Sequence, residues 1–287
     1  MSRSPCDVPE LTSIAPLAAE SDVWFVDIWG VLHNGMQPYP QCVEACRTFR
    51  NRGGVVILVS NSPRPSGGVI RQLEHVGVPT NSYDDIVTSG DVTRGLLAAW
   101  AGRSIRHIGP DRDLPLYDGF HLLRTSAEAA DIAVCTGLVD DETETPADYA
   151  SELALLKSRG LTMICANPDV TVERGGRIIY CAGALAAAYQ MLGGAVLTAG
   201  KPHAPIYDAA MLAAAAAGGR DVDKTRILAI GDGVKTDIAG ARAYGLKSVF
   251  IASAVDVNPG EALSDAAHRL FAGADPAPVG VMRALAW

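Results

Sequence analysis

The stretch VDIWGVLHNG, Val26 to Gly35, decides how this chain is read. It begins where an apolar run, VWFV (Val23 to Val26), meets the carboxylate Asp27, and Gly30 follows closely. A short apolar run ended by a polar residue and a glycine reads as a buried strand followed by a tight turn. In open α/β sheets the ligand site lies at the carboxyl ends of the strands, so Asp27 stands where such folds do chemistry. Two positions on stands Trp29, an indole and not a second carboxylate.

Working outward, short β-branched runs alternate with helical patterns, which predicts an α/β fold with a mostly parallel sheet. Strands are expected at Val23–Ile28, Val55–Ser60, Ala195–Thr198, Arg226–Ile230 and Ser248–Ile251. Helices are expected at Gln41–Arg52, Pro65–Val76, Ala204–Ala217 and from Thr236 to Tyr244. The middle of the chain repeats the pattern, with strands at Ser104–Ile108, Asp131–Cys135, Thr162–Cys165 and Arg177–Tyr180 and helices at Asp91–Trp100 and Pro146–Arg159. That middle is the size of an independent domain. The expected organisation is a core domain over 1–85 and 195–287, with an α/β domain inserted over 86–194 and the first sheet resuming near Ala195.

The 287 residues are 48% hydrophobic and 20% charged, an ordinary globular balance. A formal net charge of −8 excludes a broad nucleic-acid footprint, which needs clustered Lys and Arg. It leaves room for a small anionic substrate held by a few local cations. The six cysteines, Cys6, Cys42, Cys46, Cys135, Cys165 and Cys181, form no CxxC pair, so neither a disulfide framework nor a structural zinc site is expected. The N-terminal residues show no apolar signal region and no run approaches a membrane span, so the expectation is a cytoplasmic protein without a membrane partner.

Four strand-end clusters carry the candidate chemistry: Asp27 with Gly30; Ser60-Asn61-Ser62; Lys201 within Gly200-Lys201-Pro202; and Asp232 with Asp237 at a turn that opens a helix. Each alone has an ordinary reading, as a turn residue, a helix cap, a solvated charge or a dipole-facing acid. Four of them in this order, each ending an apolar strand, favour function. The logic is phosphoryl transfer: a carboxylate can attack phosphorus and split one difficult step into two. Neighbouring carboxylates call for a hard divalent cation, and Mg²⁺ binds through one or two carboxylates plus phosphate. A lysine and hydroxyls would neutralise the remaining phosphate oxygens.

The same residues carry a family resemblance. Asp27-Ile-Trp-Gly-Val-Leu, Val59-Ser60-Asn61, Gly200-Lys201-Pro202 and Gly231-Asp232 with Asp237-Ile238 resemble, in order, the four motifs of the haloacid dehalogenase superfamily. CANPDVTVERGGRIIYCAGAL, Cys165 to Leu185, resembles the signature of class IIA members, the 4-nitrophenylphosphatase and pyridoxal-phosphate phosphatase-like group. The resemblance implies a Rossmann-like parallel-sheet core with an inserted cap, and a Mg²⁺-dependent phosphohydrolase acting on a small phosphorylated metabolite. It makes Asp27 the nucleophile, with Asp27, the Trp29 carbonyl, Asp232 and Asp237 as metal ligands or their support. Ser60, Asn61 and Ser62 would hold phosphate, Lys201 would clamp phosphate and Asp27, and Asn167 and Asp169 would reach substrate from the cap. Caps of this type often support homodimers in that family.

Trp29 departs from the pattern, because the family's phosphatases usually carry there an Asp that protonates the leaving oxygen, and an indole N–H cannot do so. His33 is the nearest titratable replacement, with a packing or turn role as its other reading. Two further readings stand beside the phosphatase: a phosphate-binding protein that lost efficient turnover, and dehalogenase-like attack on carbon.

Overall fold

The computed structural model describes residues 8–174, 176–253 and 255–287; Cys6 lies outside the described residues. The chain divides into two compact units, one made of Met1–Ser60, Ile70–Val87 and Tyr207–Trp287, the other of Asn61–Val69 and Thr88–Ile206.

The first unit is built on a six-stranded sheet. Its order is Gly280–Met282, Lys247–Ile251, Ile227–Gly231, Val23–Val26, Val55–Ser60 and Asp85–Thr88. Numbered along the chain, that is the 3-2-1-4-5-6 order of a doubly wound fold. Val23–Val26 is central, with Val23 opposite Ile227 on one side and Val55 on the other, both pairings parallel. All four of its residues are buried, as expected of a parallel strand covered on both faces. Trp24 stacks on Phe49 of the helix Pro40–Asn51, with ring centroids 4.0 Å apart and planes 4° from parallel. Pro40 opens that helix with φ already set and no N–H to leave unpaired.

The second unit carries a five-stranded sheet, all of its pairings parallel: Ala195–Thr198, Thr162–Cys165, Ile132–Cys135, Ser104–Ile108 and Leu123–Arg124. A separate antiparallel hairpin pairs Thr171–Arg174 with Arg177–Tyr180. Apolar side chains from both faces of the sheet form the core, among them Ile105, Leu153, Leu156, Met163 and Tyr189.

One expectation is corrected here. Ala195–Thr198 does not resume the first sheet; it pairs with Thr162–Cys165 as an edge strand of the second. The preceding helix, Ala182–Met191, ends only a few residues earlier, and so short a return keeps the strand beside its own sheet. The first sheet resumes at Ile227–Gly231. Among the elements of the first unit that were not expected from sequence are the helices Ala15–Ala19 and Leu263–Phe271 and the short strands Asp85–Thr88 and Gly280–Met282.

Candidate active site

In a 3-2-1-4-5-6 sheet the switch point lies between the first and fourth strands, here Val23–Val26 and Ile227–Gly231. Asp27 follows the first directly and Asp232 follows the fourth. The sequence order of strands therefore brings together two carboxylates about two hundred residues apart in the chain. Asp237 joins them from the turn after Ile227–Gly231. Among the described residues, Asp27, Asp232 and Asp237 each offer a carboxylate oxygen, all within 4.8 Å of one another.

Glycines make this crowding feasible. A Cβ on Gly30 would lie 2.1 Å from Asp232 Oδ2, and one on Gly231 would lie 2.2 Å from Asp237 Cγ. Gly30 also has φ +84°, a conformation that L side chains avoid. The Asp237 carboxylate accepts the Gly233 N–H at 3.1 Å and faces Thr236 Oγ1 at 3.4 Å. Val234–Ile238 forms a π-helical turn before the α-helix Ala239–Tyr244, a widening found often at functional sites. From the helix Ala204–Gly218, the buried Tyr207 hydroxyl donates to the Asp237 carbonyl at 3.3 Å. Tyr207 had no motif to mark it in the sequence.

Trp29 turns onto its own loop. A Cβ on Gly35 would lie 2.7 Å from its ring, and the indole meets the His33 imidazole edge-on at 5.1 Å between centroids. His33 is 1% exposed and its Nδ1 accepts the Gly35 N–H at 2.8 Å. Burial pushes its pKa down to about 4. Of the two readings of His33, the geometry supports the packing or turn role: an imidazolium stripped of water is disfavoured, and the neutral ring accepts a hydrogen bond within its own loop.

Ser60 ends the Val55–Ser60 strand and is 6% exposed. Its bonded neighbour Asn61 belongs to the second unit, where it clips two distant segments. Asn61 Nδ2 donates to Asp169 Oδ1 at 2.8 Å and to the Lys201 carbonyl at 3.2 Å, while Asn61 Oδ1 accepts the Lys201 N–H at 2.7 Å. With the side-chain amide so used, any anion contact from Asn61 would have to come from its main chain. Gly200 lies against this clip; a Cβ there would sit 2.3 Å from Asn61 Oδ1. Lys201 is 3% exposed, and an ammonium so buried requires anionic or polar company. The Asn167 side chain accepts the Asp169 N–H at 3.0 Å, and Ser62 Oγ accepts the Arg64 N–H at 3.3 Å. Asn61, Asn167, Asp169 and Lys201 thus gather in the second unit, and Asp27, Trp29, Ser60, Asp232 and Asp237 belong to the first.

Three close carboxylates are an all-oxygen donor set of hard anions, which repel one another unless a cation is shared. The residues present therefore fit a divalent metal ion.

A doubly wound sheet with such a carboxylate trio at its switch point is an α/β scaffold suited to metal-assisted chemistry, and comparison with known proteins gives the class as hydrolases. A family model described as haloacid dehalogenase-like hydrolase matches residues 24–121, and a second, described as HAD-hydrolase-like, matches 198–273. A solved haloacid dehalogenase-like family hydrolase from Brucella suis is 45% identical with a TM-score of 0.87, covering 97% of this chain and 100% of that one. The chain belongs to the haloacid dehalogenase-like hydrolases. The D-glycerol 3-phosphate phosphatase of Mycobacterium tuberculosis is 29% identical over 245 residues, covering 84% of this chain. The match takes in 65% of that relative, so this chain spans just under two thirds of its length. A glycerol phosphate phosphatase structure from the same organism, in complex with magnesium, is 25% identical with a TM-score of 0.63, covering 86% of this chain and 74% of that one. Among the described residues, no helix is long and apolar enough to cross a membrane.

Proposed function

We propose that this hydrolase is a Mg²⁺-dependent phosphomonoesterase acting on a small phosphorylated metabolite, with a polyol or sugar phosphate as the favoured class. The observation that carries the reading is the carboxylate trio of Asp27, Asp232 and Asp237 at the switch point of the first sheet. Likeness to a glycerol phosphate phosphatase supports the substrate class.

In this reading an Asp27 carboxylate oxygen attacks phosphorus, the bond to the leaving oxygen breaks, and an aspartyl-phosphate forms. Water then attacks that phosphorus, returning the carboxylate and inorganic phosphate. Asp27, Asp232 and the Trp29 carbonyl would hold Mg²⁺, with Asp237 as ligand or support. When bound, the ion would offset the charge that phosphate brings to a carboxylate cluster. Ser60, the Asn61 main chain, Ser62 and Lys201 would supply donors to the phosphate oxygens, and Asn167 and Asp169 would contact the rest of the substrate.

Phosphate release across a metabolite panel, with Mg²⁺ and with a chelator, tests this. Mg²⁺-dependent release that disappears in Asp27→Asn is expected. A second reading is favoured by Trp29, which leaves no carboxylic acid at that position: a protein that binds phosphorylated metabolites without efficient turnover. Tight binding with no release anywhere on the panel would select it.

A further inference from the structure

The side-chain amide of Asn61 reads both main-chain groups of Lys201, much as a neighbouring strand would. Asn61 Oδ1 accepts the Lys201 N–H at 2.7 Å and Nδ2 donates to the Lys201 carbonyl at 3.2 Å, and the same Nδ2 donates to Asp169 Oδ1 at 2.8 Å. All three residues belong to the second unit. We propose that Asp169 is a positioning residue for Lys201: by deciding which way the Asn61 amide faces, it fixes the main chain from which the Lys201 ammonium is presented. This inference rests on the phosphomonoesterase reading and adds a second task to the substrate contact given to Asp169 there.

An ionised carboxylate only accepts hydrogen bonds, so Asn61 must turn its nitrogen toward Asp169. That choice leaves Oδ1 for the Lys201 N–H. With the amide flipped, its oxygen would face the carboxylate and the Lys201 carbonyl, its nitrogen would face the Lys201 N–H, and all three bonds would be lost. Asn61 and Lys201 are each 3% exposed, so bulk water does not repair such a loss.

Asp169 is itself held by its main chain. Its N–H donates to Asn167 Oδ1 at 3.0 Å, and its carbonyl accepts the Gly183 N–H at 3.1 Å, from the first turn of the helix Ala182–Met191. A Cβ on Gly183 would lie 2.2 Å from the Pro168 carbonyl oxygen, and one on Gly200 would lie 2.8 Å from Pro168 Cγ. Pro168 is thus gripped between two glycines, and the carboxylate next to it reaches Asn61 from a fixed backbone.

In the proposed reaction Lys201 and the Asn61 main chain supply donors to the phosphate oxygens. Such donors act by standing ready where charge develops, and a displacement of about 1 Å can cost about 10²-fold in rate. The loss falls on every ester, whatever organic group it carries. That separates positioning of Lys201 from contact with the organic group.

The test follows 4-nitrophenyl phosphate, which offers Asp169 no hydroxyl, with rates normalised to the folded fraction by circular dichroism. Asp169→Ala is expected to lower kcat at least about fivefold. Asp169→Asn keeps an acceptor for Asn61 Nδ2 and should be at least about threefold faster than Asp169→Ala. Asn61→Asp sets two carboxylates face to face. Adding Asp169→Asn to it restores a donor–acceptor pair of reversed polarity and should raise kcat at least about threefold above Asn61→Asp alone. A smaller fall in Asp169→Ala, or a smaller gain in either comparison, overturns the proposal. If the wild type releases no phosphate from this ester or from glycerol 3-phosphate, the phosphomonoesterase reading fails by itself. The positioning of Lys201 is then judged by calorimetric binding of inorganic phosphate, expected to weaken at least about fivefold in Asp169→Ala. It is overturned if wild type and variant bind alike or neither binds.

Discussion

The Asp232 carboxylate rests against the α-carbon of Gly30, so closely that a methyl group there would lie 2.1 Å from Oδ2. One residue of the Asp27 loop thus sets how near the second carboxylate can come to the first. Gly30→Ala should disturb the cation site in two ways, by displacing Asp232 and by forcing an L residue to φ +84°. The conformational part alone is worth about 1–2 kcal/mol. Urea melts should show that loss of stability, and calorimetric Mg²⁺ titration should show affinity reduced at least tenfold; unchanged affinity would refute the packing argument.

Asp27→Asn should abolish turnover while leaving the fold intact, because it removes the nucleophile and weakens the cation site together. The side chain is 7% exposed and nearly isosteric with its replacement, so circular dichroism and melting temperature should barely move. Phosphate release above a tenth of wild type would count against covalent attack by Asp27.

Asp232→Ala should lose Mg²⁺ affinity far more than Asp237→Ala, which should instead lose stability. Asp237 spends one oxygen on the Gly233 N–H and so shapes its own turn. Equal affinity losses by calorimetry would put both carboxylates in direct contact with the ion.

With an indole at position 29, the rate should depend steeply on the leaving group. Positioned general acids are typically worth 10²–10⁴-fold, so aryl and acyl phosphates should outpace alkyl phosphates of similar binding. Trp29→Asp should raise alkyl-ester hydrolysis selectively, offset by lost packing against His33 and Gly35. A flat dependence on leaving-group pKa in the wild type would sink this account.

His33 gives a pH dependence of stability in chelator-treated protein. Its folded pKa of about 4 lies below the ordinary 6.5, so the unfolded chain binds the proton more tightly. Stability should be fully present above pH 6.5 and fall as pH drops toward 4, by up to about 3 kcal/mol. Urea melts across that window should show the slope, and His33→Gln should flatten it. A wild-type slope that survives the substitution would assign it to other groups.

Much of this was legible in the chain alone, because it depends on local pattern. VWFV and the runs at Val55 and Arg226 declare buried strands by composition, and Asp27, Asp232 and Asp237 stand out because each follows such a run. Strand order and burial were not legible, being set by partners far away in sequence. Ala195–Thr198 reads as a strand wherever it pairs, and only the short return from Ala182–Met191 put it in the second sheet. His33 looks titratable until its burial is known, and Asn61 looks like a phosphate donor until its amide is seen holding Asp169 and Lys201. Asp27 and Asp232 share a site because a parallel sheet returns every strand in the same direction, collecting unrelated strand ends along one edge. The sequence by itself determined which residues could do chemistry; tertiary pairing alone decided which of them share a site and how much water each one keeps.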